Sequence, residues 1–170
     1  MAAAGKRYEL LDRIGVGGMA EVFRARVKGD TTGPIVVVKR ILPHLSEDDD
    51  FRRMFMDEAR IAAALQHPNI VRLVDLGRME QSLFIALEYV DGMNLEQLLA
   101  RLADAKRKVP LDVAVFIAVE ILKGLQHAHT RLGPDGKPLA IVHRDVSPAN
   151  VLLSREGAVK VSDFGLARAT

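Results

Sequence analysis

The sequence has no cysteine, which excludes disulfide bridges and thiolate metal sites and fits a reducing compartment. It also lacks any apolar run near the roughly 18 residues that a membrane span needs. Its opening residues, MAAAGKRYELL, lack the apolar core of a signal peptide. No charge of one sign dominates: 24 basic residues stand against 22 acidic ones, and the basic residues are scattered. Neither a nucleic-acid-binding stripe nor an acidic tail is present. Internal repeats and low-complexity tracts are missing too. What remains, 170 residues of which 49% are apolar and 27% charged, suits an ordinary globular domain with a core of its own. The expectation is a cytoplasmic protein with no nucleic-acid partner and no membrane segment in this chain. Its oligomeric state is not legible.

Alternating apolar positions and turn residues predict strands over Tyr8–Ile14, Glu21–Val27 and Ile35–Arg40, the first two joined by glycines at 15, 17 and 18. Apolar residues then recur at helical spacing from about Asp50 to Leu65, behind the acidic run Glu47–Asp50, which suits a helix N-terminus. That helix should stop before Pro68. Val71–Leu76 and Ser82–Glu88 complete a five-stranded antiparallel reading, and Asp91 with Gly92 breaks the pattern. We therefore divide the chain into 1–90 and 91–170. The second part should hold a helix from near Asn94, a long amphipathic helix over Leu111–Leu132, turn chemistry at Gly133–Pro138, and short strands at Val151–Leu153 and Val159–Val161. The fold class is α+β.

Chemistry concentrates in two places. Near the carboxyl end, IVHRDVSPANVLLS precedes KVSDFGLAR, so that Asp145, Asn150 and Asp163 offer two carboxylates and an amide oxygen at short range. Earlier, Gly15, Val16, Gly17 and Gly18 form a turn whose backbone can approach an anion closely, although a tight hairpin would use the same residues. Lys39 ends the strand VVVK, where a buried ammonium requires an anion; an exposed strand end is the alternative. His127 and His129, two apart on a helix, face different directions and cannot share a metal.

In this order, GVGGMAEV, VVVK, HRDVSPAN and DFG resemble the protein kinase family, and the wording looks most like its bacterial serine/threonine members. The resemblance runs from about Tyr8 to Arg168. It implies a kinase-like fold: a first lobe of five strands and one helix that binds ATP, and a helical second lobe, here incomplete. It implies transfer of the γ-phosphoryl group of ATP, with Mg²⁺, to serine or threonine hydroxyls of a protein substrate.

Residue by residue, the resemblance makes Asp145 the catalytic base or the group that orients the acceptor hydroxyl. It makes Asn150 and Asp163 the metal ligands. Lys39 would meet the α and β phosphates and pair with Glu58, although Asp57 and Glu47 are rival partners. Val22 and Val37 above and Leu152 below would enclose the adenine, whose edge would bond backbone groups of Glu88 and Val90, with Leu87 at the rear. His143 and Phe164 would pack structurally, and Arg144 would pair with a phosphorylated activation segment.

The chain departs from the family pattern at Ala20, where a third glycine is usual, and at Ser147, where many serine/threonine members carry lysine. It ends at Thr170, seven residues past Asp163, before the segment and helices that form a peptide-binding floor in the family. The expectation is a fragment that is catalytically poor, with Val115, Val119 and Leu122 left uncovered on the long helix. A non-catalytic nucleotide- or partner-binding module is the alternative.

Overall fold

The computed structural model describes residues 8–80, 82–133 and 135–164. Gly165, Arg168 and Thr170 lie outside the described residues. The chain forms two compact units, one of residues 1–63 and 72–89, the other of residues 64–71 and 90–170.

The first unit is a five-stranded antiparallel sheet with one helix. Strands β1 (Tyr8–Val16), β2 (Ala20–Val27), β3 (Val36–Ile41), β4 (Leu73–Met79) and β5 (Ser82–Glu88) take the order β1-β2-β3-β5-β4. Side chains alternate across a strand, so β3 serves both faces. Val36 and Val38 join Tyr8, Ala25, Phe84 and Ala86 in one cluster, where the Tyr8 and Phe84 rings meet edge to face at 5.6 Å. Ile41 joins Ala20, Phe55, Ala59 and Ile85 on the opposite face. Phe55 and Ala59 belong to α1 (Asp49–Ala64), which buries Phe55, Glu58 and Ala59 at the three-and-four spacing of one helical stripe. Asp48 starts this helix by accepting hydrogen bonds from the N–H groups of Asp50 and Phe51 through Oδ1, at 2.9 and 3.2 Å.

Residues 64–71 leave this unit for the second. The expected strand at Val71 therefore begins only at Leu73, because Val71 donates its N–H to Val161 O and Val161 donates in turn to Asn69 O, both at 2.9 Å. These bonds supply backbone partners that a strand beginning at Val71 would have sought in the first sheet.

In the second unit β6 (Gly92–Asn94), β7 (Val151–Ser154) and β8 (Val159–Val161) form a small antiparallel sheet. The three residues of β6 were not expected. Gly92 is needed there, since a Cβ would run into the Leu153 carbonyl. Helix α2 (Leu95–Asp104) opens with a capping box between Asn94 and Gln97. Helix α3 (Leu111–Thr130) packs Ile117 and Ile121 on Val151 and Val159. Its other face is open, with Val115, Val119 and Leu122 at 54%, 42% and 62% exposure. No helix among the described residues is long and apolar enough to cross a membrane.

Asn69 fastens the 64–71 segment to α3 and β8. It is buried, and its amide donates to Glu120 Oε2 at 2.7 Å and to Val159 O at 2.9 Å. Gly124 of α3 lets this segment approach, because a Cβ at that position would lie 2.9 Å from Asn69 O.

Candidate active site

Lys39 lies on the face of β3 that carries α1, one position from Val38 of the opposite cluster. Its Nζ is 2.6 Å from Glu58 Oε1, and the two side chains are 16% and 6% exposed. The competition between acidic neighbours is thereby resolved: Asp57 instead pairs with Arg60 at 2.8 Å in solvent, and Glu47 is exposed. Glu58 Oε2 is buried without a hydrogen-bond partner among the described residues.

Val22 stands opposite Lys39 on β2, and Val37 stands opposite Leu87 on β5, so these residues share one sheet face with the lysine. The Gly15–Gly18 stretch forms the β1–β2 turn, closed by a Gly17 N–H bond to Ala20 O at 2.8 Å. A Cβ at Gly18 would meet nothing within 4 Å, and one at Gly17 only Ala20 O at 3.7 Å. Internal packing therefore does not demand these glycines. Glu88 is tied to the residue before β4: its N–H donates to Arg72 O at 2.9 Å, and its Oε1 accepts from the Arg72 N–H at 2.8 Å.

The second group of residues is built around His143, which is buried at 1% exposure. Its Nδ1 accepts from the Asp145 N–H at 3.3 Å, which places the ring proton on Nε2, where it donates to Ser162 O at 2.9 Å. The ring packs on Phe164 with centroids 4.4 Å apart. One imidazole thus ties the loop carrying Asp145 to the strand end carrying Asp163. Asn150 Nδ2 donates to Asp145 O at 2.9 Å and Asp145 Oδ2 at 3.0 Å. Because its amide nitrogen is committed in this way, Oδ1 is the Asn150 side-chain atom that could hold a cation. The Asn150 carbonyl accepts from the Ser162 N–H at 2.9 Å. Asp145 and Asp163 are both exposed. Leu152, on β7 between Asn94 and Lys160, is half-buried, as is Val90.

Asn150 and Asp163 would supply two hard oxygens, and such a pair fits Mg²⁺, which keeps several waters and takes further oxygens from phosphates. No group of three or more histidine, aspartate or glutamate residues among those described could hold a metal by itself.

The family model for the protein kinase domain matches residues 8–170. The chain belongs to the protein kinase family. It is 46% identical over 164 residues to the tyrosine-protein kinase MasK of Myxococcus xanthus, covering 95% of this chain and 25% of that protein. It is 38% identical to the probable serine/threonine-protein kinase PknB of Lactococcus lactis, covering 96% of this chain and 24% of that one. The crystal structure of the Mycobacterium tuberculosis PknI kinase domain aligns with a TM-score of 0.71 at 32% identity, over 96% of this chain and 61% of that one. The chain therefore spans about a quarter of the length of the curated relatives it matches. The family carries an α+β kinase fold, and the sheet, helix and strand hairpin of this chain conform to it.

Sequence reasoning passed over two groups here. Ser162, between the expected strand Val159–Val161 and Asp163, was given no role. Asn69 was hidden because its partners lie 51 and 90 residues away, a separation to which no local pattern points.

Proposed function

We propose that this chain is the nucleotide-handling part of a protein kinase that transfers the γ-phosphoryl group of ATP to serine or threonine hydroxyls of a protein. The observation that carries the reading is the Asp145–Asn150 pair: one amide group fixes the acid through its nitrogen and keeps its oxygen for metal. Asp145 would accept the proton of the attacking hydroxyl, or align that hydroxyl for attack. Asn150 and Asp163 would hold Mg²⁺, which, when bound, neutralises phosphate charge that otherwise repels the incoming oxygen. Lys39, held by Glu58, would contact the α and β phosphates. The unpacked glycines at 17 and 18 support a backbone left clear for phosphate approach, and Val22, Val37, Leu87 and Leu152 would contact the adenine. The working compartment is the cytoplasm, where ATP is supplied.

One observation favours a second acceptor. MasK, at 46% identity, is named a tyrosine-protein kinase, and Ser147 brings no cation where many serine/threonine members place lysine. The experiment is transfer from radiolabelled ATP to mixed peptides carrying serine, threonine or tyrosine, followed by phosphoamino-acid analysis. Label on serine or threonine that disappears in Asp145→Asn supports the first reading. Label confined to tyrosine supports the second. Mg²⁺-dependent nucleotide binding with no transfer identifies a non-catalytic module.

A further inference from the structure

We propose that Ser162 is a positioning residue that sets the Asp163 carboxylate for metal binding. This rests on the reading of Asn150 and Asp163 as the metal ligands.

Ser162 is buried at 8% exposure, and every polar group it has is aimed at a residue of the candidate site. Its N–H donates to Asn150 O at 2.9 Å, and its carbonyl accepts from His143 Nε2 at 2.9 Å. The backbone of Ser162 is therefore clamped from both sides. Its Oγ lies 3.3 Å from Asp163 Oδ2 and 3.3 Å from Asn150 O, so a single hydroxyl proton is shared between the carboxylate and the backbone of the other ligand.

Asp163 needs such support. Its φ is +57°, in the left-handed region where a non-glycine residue sits at a cost of order 1 kcal/mol. Orientations of the exposed Asp163 carboxylate outside the productive set lower metal affinity. A hydroxyl held by a clamped neighbour is one contact that narrows them. Outer-shell partners of this kind typically change metal affinity by about 10- to 100-fold. Because the hydroxyl has a second acceptor in Asn150 O, it can yield to the metal as charge is neutralised without being left unsatisfied.

The test is a titration of Mn²⁺, followed by its electron paramagnetic resonance signal, into ADP-saturated protein. It compares wild type with Ser162→Ala, Ser162→Thr, Ser162→Cys and Asp163→Ala. Expected are Mn²⁺ affinity about tenfold weaker in Ser162→Ala, unchanged binding of metal-free ADP, and recovery in Ser162→Thr, which keeps the hydroxyl. A purely structural role would lower the unfolding temperature of Ser162→Ala without changing the Mn²⁺ affinity of its folded fraction. Wild-type Mn²⁺ affinity in Ser162→Ala, alongside lost affinity in Asp163→Ala, overturns the inference and leaves the ligand reading intact. Wild-type affinity in Asp163→Ala overturns the ligand reading itself. If Ser162→Ala does not fold, Ser162→Cys decides: its weak donor should loosen Mn²⁺ binding, and unchanged binding overturns the proposal.

Discussion

Lys39 and Glu58 form a contact of 2.6 Å across the interface of β3 and α1, with the carboxylate at 6% exposure. The helix residue is thereby held by the strand, and the ammonium is fixed in place. Removing the charge at Glu58 takes a charge-assisted bond from a largely desolvated ammonium, and hydrogen bonds to charged groups contribute about 1.5 to 3 kcal/mol. Glu58→Gln should therefore unfold at lower denaturant concentration, by that amount in chemical denaturation. Lys39→Met leaves the Glu58 carboxylate, at 6% exposure against 16% for the lysine, without this cation and should cost at least as much. Bound ligand at 100 times its Kd should stabilise the native state by about 2.7 kcal/mol. With ATP and Mg²⁺ in such excess, the wild type should show this gain in thermal unfolding, and Lys39→Met should lose most of it.

Asp145 is exposed and contributes its backbone N–H to His143 and its carboxylate to Asn150. Asp145→Asn preserves shape and the bond to His143, so thermal stability should stay within about 1 kcal/mol, as for surface substitutions. Losing a positioned base typically costs about 10²- to 10⁴-fold in rate. Single-turnover transfer should fall by that factor while nucleotide binding persists. Unchanged turnover would remove Asp145 from its assigned role.

Gly124 sets two effects of opposite sign against each other. Alanine in a helix interior is favoured over glycine by about 1 kcal/mol. Here, however, the new methyl would stand 2.9 Å from Asn69 O and 3.4 Å from both Asn69 Cβ and Ile70 Cγ1. Overpacking of this sort costs about 1 to 3 kcal/mol, and the obstacle is a backbone carbonyl already bonded to Val161. The clash should win. Gly124→Ala is expected to destabilise by about 1 kcal/mol in urea unfolding, and a stabilised variant would show that the 64–71 segment shifts freely.

The strands and helices of the first unit were legible because each obeys a local period. In β3, Val36 and Val38 are buried on one face and Ile41 on the other, so an apolar β-branched run bounded by turn residues marked the strand even though both faces are covered. The family motifs were legible for a different reason: Asp145, Asn150 and Asp163 sit within a short span of chain whose residue types and spacing match the protein kinase family. What local pattern could not show depends on distant partners. Val71 looked like the start of β4, but its hydrogen bonds go to Val161, 90 positions on. The three residues of β6 make a strand only because β7 lies beside them. Glu58 was chosen over Asp57 and Glu47 by resemblance alone, and its inward turn on α1 supplies the physical reason.

The imidazoles of His67 and His127 stack with centroids 5.0 Å apart and ring planes at 30°. His127 has its pKa held below the usual histidine value by burial, then by the nearby charges of His67 and Arg131. Its Nε2 is buried without a hydrogen-bond partner among the described residues, so a proton there would find no acceptor. In the unfolded chain the same ring takes up a proton near pH 6.5. The unfolded state therefore binds more protons between that pH and the lower folded value, and stability must fall as pH drops through this window. Above it, the contribution is fully present. Glu120, whose own pKa is held down first by Lys123 and then by Asn69, keeps an anion near this pair of rings. His127→Phe keeps an aromatic ring on His67 and cannot titrate. Equilibrium unfolding from pH 7.5 to 5.5 should show the wild type losing stability toward acid and the variant losing less of it, while equal slopes would place the acid-sensitive group elsewhere.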